Sequence, residues 1–149
     1  MSEIRDTSAW NRAQIEMFLN EQRIPIRLAC ITPSGAPLVC SLWYGYHDDA
    51  LWCATQNNAR VVRYLTEYPA CGFEIAPESA PYRGVRGQAD AHIDAGAGRH
   101  ELELLIDRYL DGRESAFAQW LLRRADQEVA IRIEPRWMTA WDFTARMTP

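Results

Sequence analysis

The stretch IPIRLACITPSGAPLVCSLWYGYHDDALWCATQ carries three apolar runs, rich in β-branched and aromatic residues and separated by PSGAP and HDDA. Runs of this length broken by turn residues predict a meander of antiparallel strands joined by tight turns. Ahead of it, Trp10, Ile15, Phe18 and Leu19 fall at mostly helical spacing. This predicts an amphipathic helix over Thr7–Gln22, with Asp6, Thr7 or Ser8 as its N-cap. Residues 58–67 read as a short helix with Val61, Val62 and Leu65 on one side, stopped by Pro69. CGFEIAP is the next strand, ESAPYRG a loop, and VRGQADAHI a strand in which Gly87 marks a bulge or a close backbone approach. RHELELLIDRYL and SAFAQWLLR carry i, i+3, i+4 apolar spacing and form a helical pair broken at DGRES. EVAIRIEP and RWMTAWDF alternate in character and supply two closing strands that meet near Pro135. Six or seven strands with few helices predict a mainly β fold, a small antiparallel barrel with helices packed outside it. No linker or repeat divides the chain, so residues 1–149 form a single domain.

Composition narrows what such a domain does. With 149 residues, 48% of them hydrophobic, the chain buries one core without disulfide or metal staples. A net charge of -4 and no basic stripe leave no surface for nucleic acid. The acidic N-terminus lacks an apolar signal core and no run reaches membrane-spanning length, which together place the protein in the cytoplasm and off the membrane. All 16 cationic side chains are arginine. The absence of lysine removes a P-loop lysine, a Schiff-base lysine and a lysine general base. Arginine is then the permanent cation available to an anionic ligand, which it grips bidentately. Cys30, Cys40, Cys53 and Cys71 stand singly in apolar segments and read as reduced, buried small hydrophobes.

The histidines His47, His92 and His100 show no metal-ligand spacing, and no metal site is expected. No nucleophile elbow or dinucleotide fingerprint occurs, so no catalytic residue is assigned, and any chemistry must come largely from a bound cofactor. The segment CATQNNARVVRYLTEYP has two readings. Thr55, Gln56 and Asn57 lead from a strand end into a helix start whose free N–H groups favour phosphate, and Arg60 and Arg63 share one helix face. Equally, Asn57 or Asn58 serves as an N-cap and Arg63 pairs with Glu67, giving an ordinary surface helix. CSLWYGY reads as one strand alternating Ser41, Trp43 and Gly45 against Leu42, Tyr44 and Tyr46, able to line a planar ligand or to fill the core.

The order of these segments resembles the pyridoxamine 5'-phosphate oxidase-like, FMN-binding split-barrel family. RLACITPSGAPLVCSLWY is similar to its first hairpin, LWCATQNNARVVRYLTEYP to its strand, threonine loop and basic helix, and YRGVRGQADAH to its later strand. The resemblance covers roughly residues 26–94, with RWMTAWDF as the terminal strand. It implies an antiparallel split barrel of six to seven strands, and a homodimer with two FMN molecules at the subunit interface acting on a small-molecule substrate. Ser41, Leu42 and Trp43 would run along the flavin, Thr55, Gln56, Asn57, Arg60 and Arg63 would hold its phosphate, and Tyr82, Arg83 and Trp141 would reach in from the partner subunit. The resemblance implies an FMN-dependent oxidoreductase; related members bind a deazaflavin coenzyme or haem instead, so a deazaflavin-dependent reductase and a non-catalytic flavin- or haem-binding module stand beside it. The chain departs from the oxidase itself by carrying Val61 where an Arg-Lys pair would have its lysine, and Cys40 where an arginine would precede the flavin strand.

Overall fold

The computed structural model describes residues 1–148 and contains eight strands, five α-helices and two short 3-10 helices (Ala95–Ala97 and Ala125–Gln127) among them. The strands are β1 (Glu3–Ile4), β2 (Ile26–Ile31), β3 (Pro37–Leu42), β4 (Gly45–His47), β5 (Ala50–Gln56), β6 (Ala70–Ile75), β7 (Arg83–Asp94) and β8 (Glu128–Asp142). The helices are α1 (Arg12–Glu21), α2 (Arg60–Glu67), α3 (Gly98–Leu110), α4 (Ala116–Arg123) and α5 (Thr144–Met147). Seven strands form one curled antiparallel sheet in the order β3-β2-β6-β7-β8-β5-β4, and the two-residue β1 pairs in parallel with β8. This is the antiparallel half-barrel with flanking helices that the sequence predicts.

The hairpin over PSGAP sets Ile26 opposite Leu42 and Ile31 opposite Pro37. The polar break HDDA makes the β4–β5 turn, where Asp48 and Asp49 both take left-handed conformations (φ 52° and 56°). That geometry matches the right-handed twist of the strands it joins.

Three local readings are corrected. CSLWYGY is two strands, not one: β3 ends at Leu42 and β4 begins at Gly45, because Tyr44 turns fully into the core and its hydroxyl donates to Leu19 O at 2.8 Å. Pro135 does not divide the C-terminal run. β8 passes through it, and the extra residue, Arg136, is absorbed as a register shift opposite Gln88 and Ala89. A bulge is a place where a sheet tolerates proline. The N-cap of α1 is Asn11, whose Oδ1 accepts from Gln14 N while Gln14 Oε1 accepts from Asn11 N, a reciprocal capping box.

Two layers of side chains hold the elements together. The inner face of the sheet buries Leu28, Leu51, Phe73, Ile131 and Ile133 against Ile15 and Leu19 of α1 and Val61, Val62 and Leu65 of α2. On the outer face, Leu102 and Ile106 of α3 and Ala118 of α4 pack with the half-buried Trp43 and Ala54. Gly98 fixes how closely α3 approaches, since a Cβ there would lie 2.0 Å from the Glu128 carbonyl oxygen. Gly87 marks a close approach rather than a bulge, its absent Cβ falling 2.3 Å from Trp137 O.

Candidate functional site

Helix α2 forms because Val61, Val62 and Leu65 share one face and bury it in the main core, while Arg60, Arg63, Thr66 and Glu67 stay exposed. Its start is fixed from outside. Asn57 N donates to Gln127 O at 2.8 Å, Asn57 Nδ2 donates to Gln127 Oε1 at 3.2 Å, and Ala59 N donates to Gln56 O at 3.0 Å. These bonds tie the end of β5 to the start of β8 and hold the chain as it enters the helix. The N-cap residue is Ala59, and among the described residues no side chain caps the first turn. The cap expected from Asn57 or Asn58 is therefore absent, and so is the ion pair from Arg63 to Glu67 among the described residues.

A cleft of about 490 Å³ opens at this helix start, lined by Asn57, Asn58, Arg60, Arg63, Thr66 and Glu67 together with Ala59 and Val62. Neither Arg60 nor Arg63 has a carboxylate partner among the described residues. Arg63 lies 5.4 Å from the ring centre of Tyr64, an intrahelical contact. Unneutralised guanidinium groups beside free N–H groups at a positive helix end make a place for an oxyanion.

The remaining predicted residues divide by position. Thr55 and Gln56 do not line the cleft. Gln56 faces away from it, with Nε2 donating to Arg124 O at 3.2 Å and to Glu128 Oε2 at 2.6 Å. Burial raises the carboxyl pKa of Glu128, with the Gln56 hydrogen bond and the Arg124 charge opposing it. Ser41 is exposed on β3, where Arg27 Nη1 donates to its Oγ at 2.5 Å from the opposite position on β2. Leu42 is half-buried against the main core. Trp43 lies between β3 and β4, stacked on Tyr109 of α3 with ring centres 5.0 Å apart and planes 5° apart, and edge-on to Phe117 at 6.2 Å.

Tyr82, Arg83 and Trp141 gather at the far end of the β7–β8 ladder, where Arg83 lies opposite Asp142 and Gly84 opposite Trp141. Tyr82 O accepts from Phe143 N at 2.9 Å. Asp142 is held below the usual carboxylate range chiefly by the Thr144 hydroxyl, then by Thr144 N, Trp10 Nε1 and the Arg83 charge. The indole N–H of Trp141 is buried and has no acceptor among the described residues. Such an orphaned donor costs roughly 1–3 kcal/mol, so a group supplied from outside the chain would relieve it.

Sequence reasoning passed over Arg27 and Thr66, and it weighed Asn58 only as a helix cap. The register set by the PSGAP turn was the available signal for Arg27, because it places that arginine directly across from Ser41.

No protein-family model matches the chain, and no curated protein matches it. Solved structures do. A conserved hypothetical protein of Mycobacterium tuberculosis superposes with a TM-score of 0.81 at 23% identity, covering 99% of this chain and 94% of that one. An F420 reductase gives a TM-score of 0.68 at 21% identity over 82% of this chain and 94% of its own. A pyridoxamine 5'-phosphate oxidase-like protein of Listeria innocua gives 0.62 at 13% identity, over 86% and 94%. The chain has the split-barrel fold. In split-barrel terms, β2 and β3 are the opening hairpin, β5 and α2 the strand and basic helix, and β7 the later strand, in the order that the sequence resemblance sets out. Among the described residues no helix is long and apolar enough to cross a membrane, and no cluster of three or more His, Cys, Asp or Glu side chains could hold a metal ion.

Proposed function

We propose that the chain is a flavoprotein that binds FMN and acts as an FMN-dependent oxidoreductase on a small-molecule substrate. The observation that carries this reading is the open start of α2, where Arg60 and Arg63 stand without carboxylate partners around a cleft of about 490 Å³. Those residues fit a phosphate ester: two guanidinium groups supply charge and forked donors, and the uncapped first turn supplies backbone N–H groups. They do not fit haem iron, because none of the eight residues lining the cleft is a histidine, cysteine, methionine or tyrosine. A reduced deazaflavin coenzyme, also a phosphate ester, is the second reading, supported by the likeness to an F420 reductase.

On this reading Arg60, Arg63 and Asn57 hold the phosphate, and Ser41, Leu42 and Trp43 follow the ring system. Arg27 donates to the Ser41 hydroxyl beside them. When bound, the isoalloxazine supplies hydride transfer at its N5, so the chain needs no nucleophile of its own. A homodimer completes the groove, with Tyr82, Arg83 and Trp141 of one protomer serving the other. The surface for a second copy includes β3, an edge strand on which Val39 is 63% exposed and Leu38 is 38% exposed. A cytoplasmic location accords with this chemistry.

The decisive measurement is the visible spectrum of the purified protein, followed by thermal melts with excess FMN, riboflavin, a deazaflavin coenzyme or haem. FMN raises the melting temperature by mass action and riboflavin raises it far less. No yellow absorbance and no shift with FMN would sink the reading, and a shift with the deazaflavin alone would favour the second.

A further inference from the structure

Strands β3 and β4 come from one apolar run, and the break between them at Trp43 and Tyr44 takes backbone groups out of the ladder. The last turn of α3 supplies their partner. Tyr109 Oη accepts from Tyr44 N at 3.1 Å, and its own proton serves Ile24 O at 2.8 Å, with Tyr44 O a second acceptor at 3.2 Å. The ring of the same residue lies flat on the Trp43 indole, centres 5.0 Å apart and planes 5° apart, while Phe117 of α4 meets that indole edge-on. Tyr109 thus holds the break by its hydroxyl and the side chain at the break by its ring. It is itself braced, because the adjacent Arg108 donates to Leu19 O at 2.8 Å, to Asn20 O at 3.2 Å and to Gln22 O, setting a cation on the carbonyl end of α1. Burial raises the pKa of the Tyr109 hydroxyl, which therefore remains a donor at neutral pH. Trp43 and Tyr109 are both half-buried, so the clamped indole keeps a surface that a ligand can touch.

We propose that Tyr109 is a positioning residue for the ring end of the cofactor groove, holding the Trp43 indole in the orientation that it offers to a flavin ring. The proposal rests on the flavoprotein reading, in which Ser41, Leu42 and Trp43 follow the ring system. An indole left unstacked in a two-residue break samples several rotamers, and contact with a planar partner selects among them at a cost. The Tyr109 ring removes that freedom before the ligand arrives, so the contact forms with less loss of entropy. An indole held against a flavin also quenches its emission, because the excited ring takes one electron from the indole and returns it without light. Quenching therefore reports where Trp43 stands, and a change in fold stability alone does not move it.

The test is the emission of bound FMN in the full chain, measured beside titrations with FMN and riboflavin. In the wild type the emission is strongly quenched, and Trp43→Phe restores it. Tyr109→Leu, which replaces the ring with a smaller apolar side chain, also restores emission and weakens FMN and riboflavin by the same factor, about three- to tenfold. Tyr109→Phe keeps the stacked ring and keeps the quenching, although its melting temperature falls with the lost hydroxyl bonds. Adding Tyr109→Leu to Trp43→Phe raises the emission no further, the non-additivity expected of a residue that acts through another. Bound FMN that stays quenched in Tyr109→Leu, or two variants whose effects simply add, would overturn the proposal. Should Tyr109→Leu fold poorly, Trp43→Phe decides, since unchanged emission there means that no indole meets the ring. A wild type that binds neither FMN nor riboflavin would remove the flavoprotein reading and this proposal with it, a failure visible before any variant is made.

Discussion

Helices α1 and α2 press apolar faces into the same core and begin in opposite ways. At α1 the box between Asn11 and Gln14 satisfies donors on both sides of the start. At α2 the cap is an alanine, no side chain accepts from the first turn, and two arginines look onto open space. Helix α4 sides with α1, while at α3 the cap lies one turn earlier and the helix itself starts at an uncapped Ala97. Ser115 Oγ accepts from Ala118 N at the start of α4, and Asp94 Oδ1 accepts from Gly96 N and Ala97 N just ahead of α3. A capped helix start contributes about 1 kcal/mol to the fold. The fold forgoes that contribution at α2 and at α3, whose N-cap is Ala97, but the first turn of α3 carries Glu101 and its Arg99 is paired with Asp126, whereas at α2 the uncapped start and the unpaired cations coincide.

The largest effect should come from Arg60. Arg60→Ala removes one charge-assisted contact to phosphate, and titration should show FMN affinity falling by about 1.5–3 kcal/mol, roughly ten- to more than a hundredfold. Riboflavin affinity should stay within a factor of about two and the apo melting temperature should hold, since surface changes stay within about 0.5 kcal/mol. Equal losses for both ligands would erase the distinction between the two helix starts. Asn11→Ala is the converse, costing about 1 kcal/mol of stability by denaturant unfolding with FMN affinity intact.

Ala59→Ser gives α2 the cap it lacks. It should stabilise the apoprotein by about 0.5–1 kcal/mol and weaken FMN binding, because the hydroxyl oxygen competes for the N–H groups that a phosphate would use. A variant that gains stability and keeps full FMN affinity would show the open start to be incidental.

The smallest effect belongs to α3. His47 Nε2 sits 3.1 Å from both carboxylate oxygens of the buried Glu101 in the first turn of that helix, and His47 Nδ1 sits 3.0 Å from Asp48. Burial alone would lower the His47 pKa, but the hydrogen bonds and charges of Asp48 and Glu101 outweigh it and raise the pKa above 6.5. A raised folded-state pKa means that the stabilisation is complete below about pH 6.5 and fades as pH rises through the folded value. Melting temperatures of the wild type should therefore fall toward those of His47→Gln from about pH 6.5 upward. A constant gap across that range would show that the pair is not charged.

Much of this frame is legible in the sequence, and the exceptions share a cause. The PSGAP hairpin, α2 and the α3–α4 pair follow from local periodicity. The end of β3 does not, because Tyr44 is drawn inward by a carbonyl 25 residues away at Leu19. Pro135 reads as a break because a bulge exists only relative to the partner strand, here at Gln88 and Ala89. The start of α1 was visible as Asn-x-x-Gln, yet Asp6, Thr7 and Ser8 offered earlier cap residues that the chain does not use. At the candidate site, Asn57, Arg60 and Arg63, named from the pattern, line one cleft. Gln56 lies outside that cleft, because its amide bonds to the distant Arg124 and Glu128.

Strand β8 carries a further consequence. It is bonded along one side to β7 at twelve paired positions and along the other to β5 at six, with β1 added near its end. A pulling force applied at the C-terminus would enter the molecule through this strand and load two ladders at once. Mechanical rupture would then begin by tearing β8 out of the middle of the sheet, rather than by peeling away an edge, and would dismantle both layers of side chains in a single event.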